Sequence, residues 1–265
     1  VEPEVAVALA PERGPVRAGP AYWLQSYLVM IRWELTSLRA WLPIVMVIQV
    51  LGGAGFVLGI ALFFDQIPET AALFVSTGVP VVMMLMLGLM LEPQLIADQR
   101  LEGTYEYLRV LPVPAGASAL AWYTVTVVAG IPSTVIALWL AHLRYDISFT
   151  ISPAIVPALL LTTFTGTMIG YALGHAMPTP MATRLVTQVL VFGVFGFAPV
   201  LFPVQQMPGW LGALNWWLPF RHMAVIVRAA LMPGLGADLG VSYAVVAVWG
   251  VASAGIAAWA LGRRR

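Results

Sequence analysis

The chain has 265 residues, of which 60% are hydrophobic and only 9% charged, with a formal net charge of +1. A soluble domain carries about 25% charged residues and needs a large wetted surface, so this composition argues against a soluble fold and fits a bilayer. The small net charge implies no bulk attraction to nucleic acid. The lack of Cys removes disulfides and thiolate chemistry, and the lack of Lys (all 13 basic residues are Arg) argues against a P-loop ATPase or a Schiff-base enzyme.

Residues 1–20 mix charge, Pro and Gly and read as a disordered cytoplasmic tail. The apolar run at 5–10 is too short for a signal peptide, and Pro11, Pro15 and Pro20 follow it. Over 22–41, Trp23, Tyr27, Ile31 and Leu35 recur at helical spacing while Gln25, Arg32, Glu34 and Arg39 interrupt them. The pattern predicts an amphipathic helix along the inner interface; the alternative is an extension of the first span into the cytosol. Six stretches then reach the roughly 20 apolar residues that a bilayer core requires: 42–64, 71–91, 117–141, 153–175, 185–202 and 241–261. Pro80, Pro132 and Pro199 are tolerated inside such helices because neighbouring helices satisfy the freed backbone groups. The expected fold is all-α, a polytopic membrane protein with one transmembrane domain over 21–265.

Arg placement orients it. With both termini inside, Arg13, Arg17, Arg32, Arg39, Arg100, Arg109, Arg184, Arg263, Arg264 and Arg265 are cytoplasmic. Arg144, Arg221 and Arg228 are outside, and acidic Asp65 and Glu69 sit in the first outer loop.

The cytoplasmic loop 92–116 carries Glu92, Asp98, Arg100, Glu102, Glu106 and Arg109. Gly103 suits a helix C-cap and Thr104 the N-cap of the next helix, with Glu106 near its positive dipole end. Pro112 forces Leu111 out of helical geometry, so the spacing predicts a short helix over about 105–110. Tyr105 and Leu108 project from one side, joined by Leu101 from the preceding turn. Such a helix is shaped like a docking peg, although an ordinary charged connector has the same outline.

Small and polar residues crowd the fourth span: Thr162, Thr163, Thr165, Gly166, Thr167 and Gly170. Gly166 and Gly170 allow close helix approach, and the hydroxyls suit either packing or the lining of a path. Gly52, Gly53 and Gly55 in the first span, and Gly193 and Gly196 in the fifth, read in the same way.

Past the fifth span, Phe202 and Pro203 open an outer segment over 203–232. Pro208 suits a first helical turn, and Trp210, Leu214 and Trp217 share one face. Pro219 ends that helix, and 220–231 forms another with Arg221 and Arg228 seven apart on one side. The spacing predicts two short helices in the outer leaflet, Trp at the interface and Arg toward headgroups or solvent; a plain outer loop is the alternative.

Arg100-x-Glu102-Gly103-Thr104-x-Glu106-x-Leu108 with Leu111-Pro112-Val113 resembles the coupling-helix loop of type-2 ABC exporter permeases of the drug-resistance and polysaccharide-export kinds. Gln99 stands where that family often has Glu, with Asp98 beside it. Phe202-Pro203, Pro208-Gly209-Trp210, Pro219 and Arg228 resemble the family's outer re-entrant hairpin. With the amphipathic N-terminal helix, the likeness covers nearly all of 21–262.

The resemblance implies an export permease for an amphipathic drug, lipid or lipid-linked glycan. It implies a second permease copy or related chain, and two ABC ATPase subunits holding Mg-ATP, with no cofactor in this chain. Arg100, Glu102, Gly103, Thr104, Tyr105, Glu106, Leu108, Arg109 and Pro112 are then the ATPase-coupling residues. Pro203, Pro208, Trp210, Leu214, Trp217, Pro219, Arg221 and Arg228 form the outer gate. A path near the dimer axis would draw on Met86 and Met90 of the second span, Thr163 and Thr167 of the fourth, and Gln188, Phe192 and Phe195 of the fifth.

No catalytic residue is expected, since neither G-x-S-x-G nor H-E-x-x-H occurs. No metal site is expected, because His142, His175 and His222 lie far apart in sequence. The span centres hold no Asp, Glu or Arg, which disfavours an ion-coupled carrier. A membrane scaffold without transport activity is the other rival.

Overall fold

The computed structural model describes residues 19–63, 67–234 and 238–263. Arg13, Arg17, Asp65, Arg264 and Arg265, and with them most of the expected tail, lie outside the described residues. Six helices are long and apolar enough to cross a membrane, and no strand occurs among the described residues.

Helix α1 (Pro20–Ser37) starts with Pro at its first position, where the missing N–H costs nothing. It turns directly into the first span, α2 (Leu42–Phe63), through Leu42 N–H to Leu38 O at 2.6 Å. The second span is one continuous rod. Helix α3 (Glu69–Leu85), a π-helical turn (Met86–Leu91) and α4 (Glu92–Leu101) follow without a break, so the span expected at 71–91 runs ten residues further. The π turn lies just before Glu92 and Pro93, and the Glu92 N–H reaches back five residues to Leu87 O. At about 1.5 Å per residue this rod exceeds the roughly 30 Å hydrocarbon core, so an end of it projects from the bilayer.

After the short α5 (Thr104–Val110) come the third span, α6 (Ala115–Tyr145), and the fourth, α7 (Ile155–Ala176). The fifth span is α8 (Pro180–Phe197), not 185–202. Thr179 Oγ1 caps its start by accepting from Ala182 N at 3.1 Å, and Pro180 takes the first position. Pro199 is not internal to it: Ala198 is already extended, as a residue before Pro prefers. A 3-10 turn (Val204–Gln206), α9 (Gly209–Trp217) and α10 (Pro219–Leu231) lead to the sixth span, α11 (Leu239–Arg263).

The second span is the axis of the bundle, touching α2, α6, α7, α8 and α10. Its closest approach is to α7. A Cβ on Gly88 would stand 2.6 Å from Thr167 N, and one on Gly170 would collide with Gly88 O, so the two backbones meet where only glycine fits. The small-residue stripe of α7 thus packs against the second span on one side. On the other, Thr165 Oγ1 donates to Val246 O of α11 at 3.0 Å. Gly53 likewise packs on Ala137 of α6, whereas Gly55, Gly193 and Gly196 face open space.

Helix α1 packs on α6 through Ser26, Met30 and Glu34, with Tyr27 Oη 2.7 Å from Thr124 Oγ1. That face is out of phase with the expected Trp23–Tyr27–Ile31–Leu35 stripe: Leu24, Leu28, Val29 and Leu35 point outward, and Glu34 points in. The direction of each helix gathers the described Arg positions at two ends. Arg32, Arg39, Arg100, Arg109, Arg184 and Arg263 lie at the end bearing α5, and Arg144, Arg221 and Arg228 at the end bearing the α9–α10 hairpin.

Candidate functional site

The α5 end is built from local rules and then locked by long-range contacts. The Glu102 N–H closes α4 on Asp98 O at 3.0 Å, and Gly103 takes φ 79°, the left-handed region that a Cβ disfavours. Gly103, not Thr104, occupies the cap position of α5, and Thr104 is its first helical residue, making no side-chain cap. At the other end Leu111 is extended ahead of Pro112, whose carbonyl accepts from the Tyr22 hydroxyl of α1.

Tyr105 does not project. It is 4% exposed, its hydroxyl lies 3.0 Å from His175 Nδ1 at the end of α7, and the Arg100 guanidinium carbon sits 4.7 Å from its ring centre. Arg100 in turn donates to Met177 O (2.8 Å) and His175 O (3.1 Å), capping the negative end of α7. The aromatic face expected to dock is therefore the anchor, with Leu108 half-buried beside it. The outward face instead consists of Tyr107 (58% exposed) and Val110 (79% exposed), with Leu101, Glu102 and Glu106 also exposed. Their i, i+3 spacing was the available signal. Asp98 pairs with Arg184 of α8, which ties the fifth span to the second.

Behind α5 lies a cavity of about 80 Å³ lined by Glu34, Tyr105, Trp122, Tyr171, His175 and Leu261, among others. Glu34 is almost fully buried, and burial pushes its carboxyl up to about 8. Glu92, placed by sequence in the loop, is buried inside the second span, and neither carboxylate oxygen has a hydrogen-bond partner among the described residues. Because the second span runs on past 91, it takes in this carboxylate, which lies beyond the span centres read from sequence as free of Asp, Glu and Arg.

The Glu34 carboxyl has a testable consequence. Its folded value lies above the ordinary value of 4.5, so the folded state holds a proton that the unfolded chain releases. The stability this proton confers is complete below about 4.5 and falls as pH rises toward about 8, by roughly 1 kcal/mol per pH unit. Thermal melts of the detergent-purified protein should show a lower midpoint at pH 8 than at pH 5, and Glu34→Gln should flatten the difference. His175, Tyr105 and Tyr171 face the same cavity and Glu92 is the nearby charge, so the Gln variant isolates the contribution of Glu34.

At the opposite end Trp210, Leu214 and Trp217 share the outward face of α9, as their spacing predicts. Pro203 precedes the 3-10 turn, Pro208 stands one residue before α9, and Pro219 opens α10 after an extended Leu218. At 13 residues α10 is too short to cross a bilayer, yet it is buried among α3, α7 and α11. His222 fastens it, with Nε2 2.8 Å from Trp216 O and Nδ1 3.0 Å from Ser242 Oγ.

The two arginines of α10 part company. Arg221 lies over the Trp216 ring at 4.9 Å and is partly exposed. Arg228 points inward instead of toward headgroups or solvent and is 4% exposed. Its Nε donates to Thr77 Oγ1 (3.0 Å), its Nη2 to Val200 O (2.8 Å), and its guanidinium carbon stands 4.0 Å from the Phe74 ring centre.

The expected path residues share no single surface of this chain. Thr163 and Thr167 are buried, Met86, Met90 and Gln188 are half-buried, Phe195 packs on the core, and Phe192 faces outward.

The sequence model of the family described as ABC-2 family transporter protein matches residues 62–259, well over half of the chain. The chain belongs to the ABC-2 transporter family. No curated protein matches the sequence. The matched region takes in α5, the hairpin and the second to fifth spans, so both sites built above are part of an ABC-2 permease. Such permeases are multi-pass membrane subunits, generally non-catalytic, and the family implies an ABC ATPase partner. Membership also outweighs the ion-coupled carrier that the buried Glu92 would otherwise favour.

Proposed function

We propose that this permease exports an amphipathic drug, lipid or lipid-linked glycan from the cytoplasm, driven by two copies of a separate ABC ATPase that bind Mg-ATP. The chain pairs with a second copy or a related permease in the cell membrane, with both termini cytoplasmic. The ATPases dock on the exposed face of α5, around Glu102, Glu106, Tyr107 and Val110, while the α9–α10 hairpin gates the outer side. The observation that carries this reading is the anchoring of α5. A short helix is presented at one end of the bundle and tied by Gly103 to the second span, by Tyr105 to α7, and through Pro112 to α1. Movement imposed on its outer face is thereby delivered to three elements at once.

Co-expression with its ATPase tests the proposal. The wild-type permease should retain the ATPase through mild-detergent purification, and charge reversal at Glu102 and Glu106 together should cut permease-dependent ATP hydrolysis at least about tenfold, the loss expected when like charges replace complementary ones. No ATPase co-purifying with the wild type, together with ATP hydrolysis by added ATPase that the double reversal leaves unchanged, would leave the scaffold reading.

A further inference from the structure

The hairpin end holds a second cavity, of about 140 Å³, whose lining includes Phe74, Gln205, Arg221, His222, Arg228 and Asp238. Gln205 and Asp238 are exposed and mark its mouth; Arg228 and His222 are buried and mark its floor. Every described partner of Arg228 is neutral: a hydroxyl, a backbone carbonyl and an aromatic ring. Its Nη1 makes no hydrogen bond among the described residues, and no described carboxylate pairs with it. A guanidinium is not deprotonated in proteins, so Arg228 stays cationic at neutral pH. A buried cation without a counter-charge is costly, and an anion entering the cavity would offset that cost.

We infer that this cavity receives the anionic headgroup, a phosphate or carboxylate, of the amphiphile the permease carries, with Arg228 as the buried ligand and Arg221 as the second cation at the rim. The guanidinium fork suits planar or tetrahedral oxyanions, and an Nη1 left over after two neutral bonds is the donor such a group needs. The size agrees. Pockets that swallow a drug-sized molecule start at about 300 Å³, so this one takes a headgroup and leaves the apolar body outside it. That body would lie along the exposed Trp210, Leu214 and Trp217 face of the hairpin or in the adjoining lipid. Asp238, exposed at the mouth, is the carboxylate in this lining, and the two guanidinium groups of Arg221 and Arg228 outweigh it.

The inference rests on the export reading for the amphiphile as cargo and for the direction of travel; binding itself is readable on this chain alone. The probe is dioleoyl phosphatidic acid, added to the purified chain in a neutral detergent and followed by native mass spectrometry, with dioleoylglycerol and inorganic phosphate as comparisons. Phosphatidic acid should bind at least about tenfold more tightly than dioleoylglycerol, the scale of a charge-assisted bidentate contact. Arg228→Gln should remove that advantage, and Arg228→Lys should keep part of it. Arg221→Gln, at the partly exposed rim, should weaken binding about threefold even if the Arg228 variants fail to fold. Equal binding of the two lipids, or unchanged binding in Arg228→Gln, overturns the site. Inorganic phosphate binding as tightly as phosphatidic acid overturns the headgroup assignment. None of these results depends on an ATPase, so failure here is separate from failure of the α5 docking test.

Discussion

Gly170→Ala should lower the thermal midpoint of the purified protein by roughly 10 °C, or remove the folded protein altogether. The added methyl would run into the carbonyl oxygen of Gly88, a backbone atom that cannot swing aside. Overpacking of a rigid site costs about 3 kcal/mol, and for a chain this long each kcal/mol moves the midpoint by about 2–4 °C. Gly88→Ala should behave alike, because its Cβ would meet Thr167 N at 2.6 Å and the Gly166 carbonyl carbon at 2.8 Å. Gly166→Ala should be milder: its nearest obstacle, at 2.9 Å, is the terminal methyl of Leu85, which can rotate. Gly55→Ala meets nothing within 4 Å and should be neutral or stabilising by up to about 1 kcal/mol, the usual gain for Ala over Gly in a helix. The order Gly170 and Gly88, then Gly166, then Gly55 is the signature of direct backbone contact between the second and fourth spans. Equal melting of all four variants would mean that the contact does not exist.

Tyr105→Ala and Tyr107→Ala should separate anchoring from docking on the same short helix. Tyr105 fills the space between α5, α4 and α7 and touches both Arg100 and His175. Truncating a buried aromatic costs about 3–5 kcal/mol, so Tyr105→Ala should lose thermal stability and ATPase coupling together. Tyr105→Phe, which keeps the ring and gives up the hydroxyl contact, should cost about 1 kcal/mol and retain most coupling. Tyr107 and Val110 are exposed, and Tyr107→Ala or Val110→Glu should leave the melt within about 0.5 kcal/mol of wild type. If the exposed face is the docking face, those two substitutions should nevertheless release the ATPase in a pull-down. A pull-down unaffected by Val110→Glu, with the melt unchanged, would place the ATPase contact elsewhere.

These two results would give the α5 assembly a mechanical meaning. Its ties to α1, to the second span and to α7 converge on residues scattered over the sequence: Tyr22, Arg100, Tyr105, Pro112 and His175. A permease driven from outside the membrane needs such a rigid junction, because a push on a flexible loop would be absorbed before it reached the spans. The hairpin end is fastened in the same way, through Asn215 to Phe197 O, Arg228 to Val200 O and Trp249 to Trp217 O.

Composition and run length by themselves determined six crossings, because 20 apolar residues suffice to cross hydrocarbon whatever they pack against. Local chemistry determined the turn at Gly103, the stop at Pro112, the breaks around Pro208 and Pro219, and the outward face of α9, each a matter of a few adjacent residues. The grouping of Arg at two ends followed from counting crossings. Which side of the other helices faces inward was decided only by tertiary structure. In water an apolar stripe marks the buried face, but lipid is as apolar as a core, so periodicity loses its meaning within a bilayer. That is why Arg228 turns in where its spacing points it out, why α1 buries Glu34 and exposes leucines, and why Glu92 lies inside a span whose apolar run ends one residue earlier; Tyr105, at the end that projects from the bilayer, is held inward by Arg100 and His175. The fifth span is a different case: its composition allowed several frames, and local chemistry, the Thr179 cap and the extended Ala198 before Pro199, chose one.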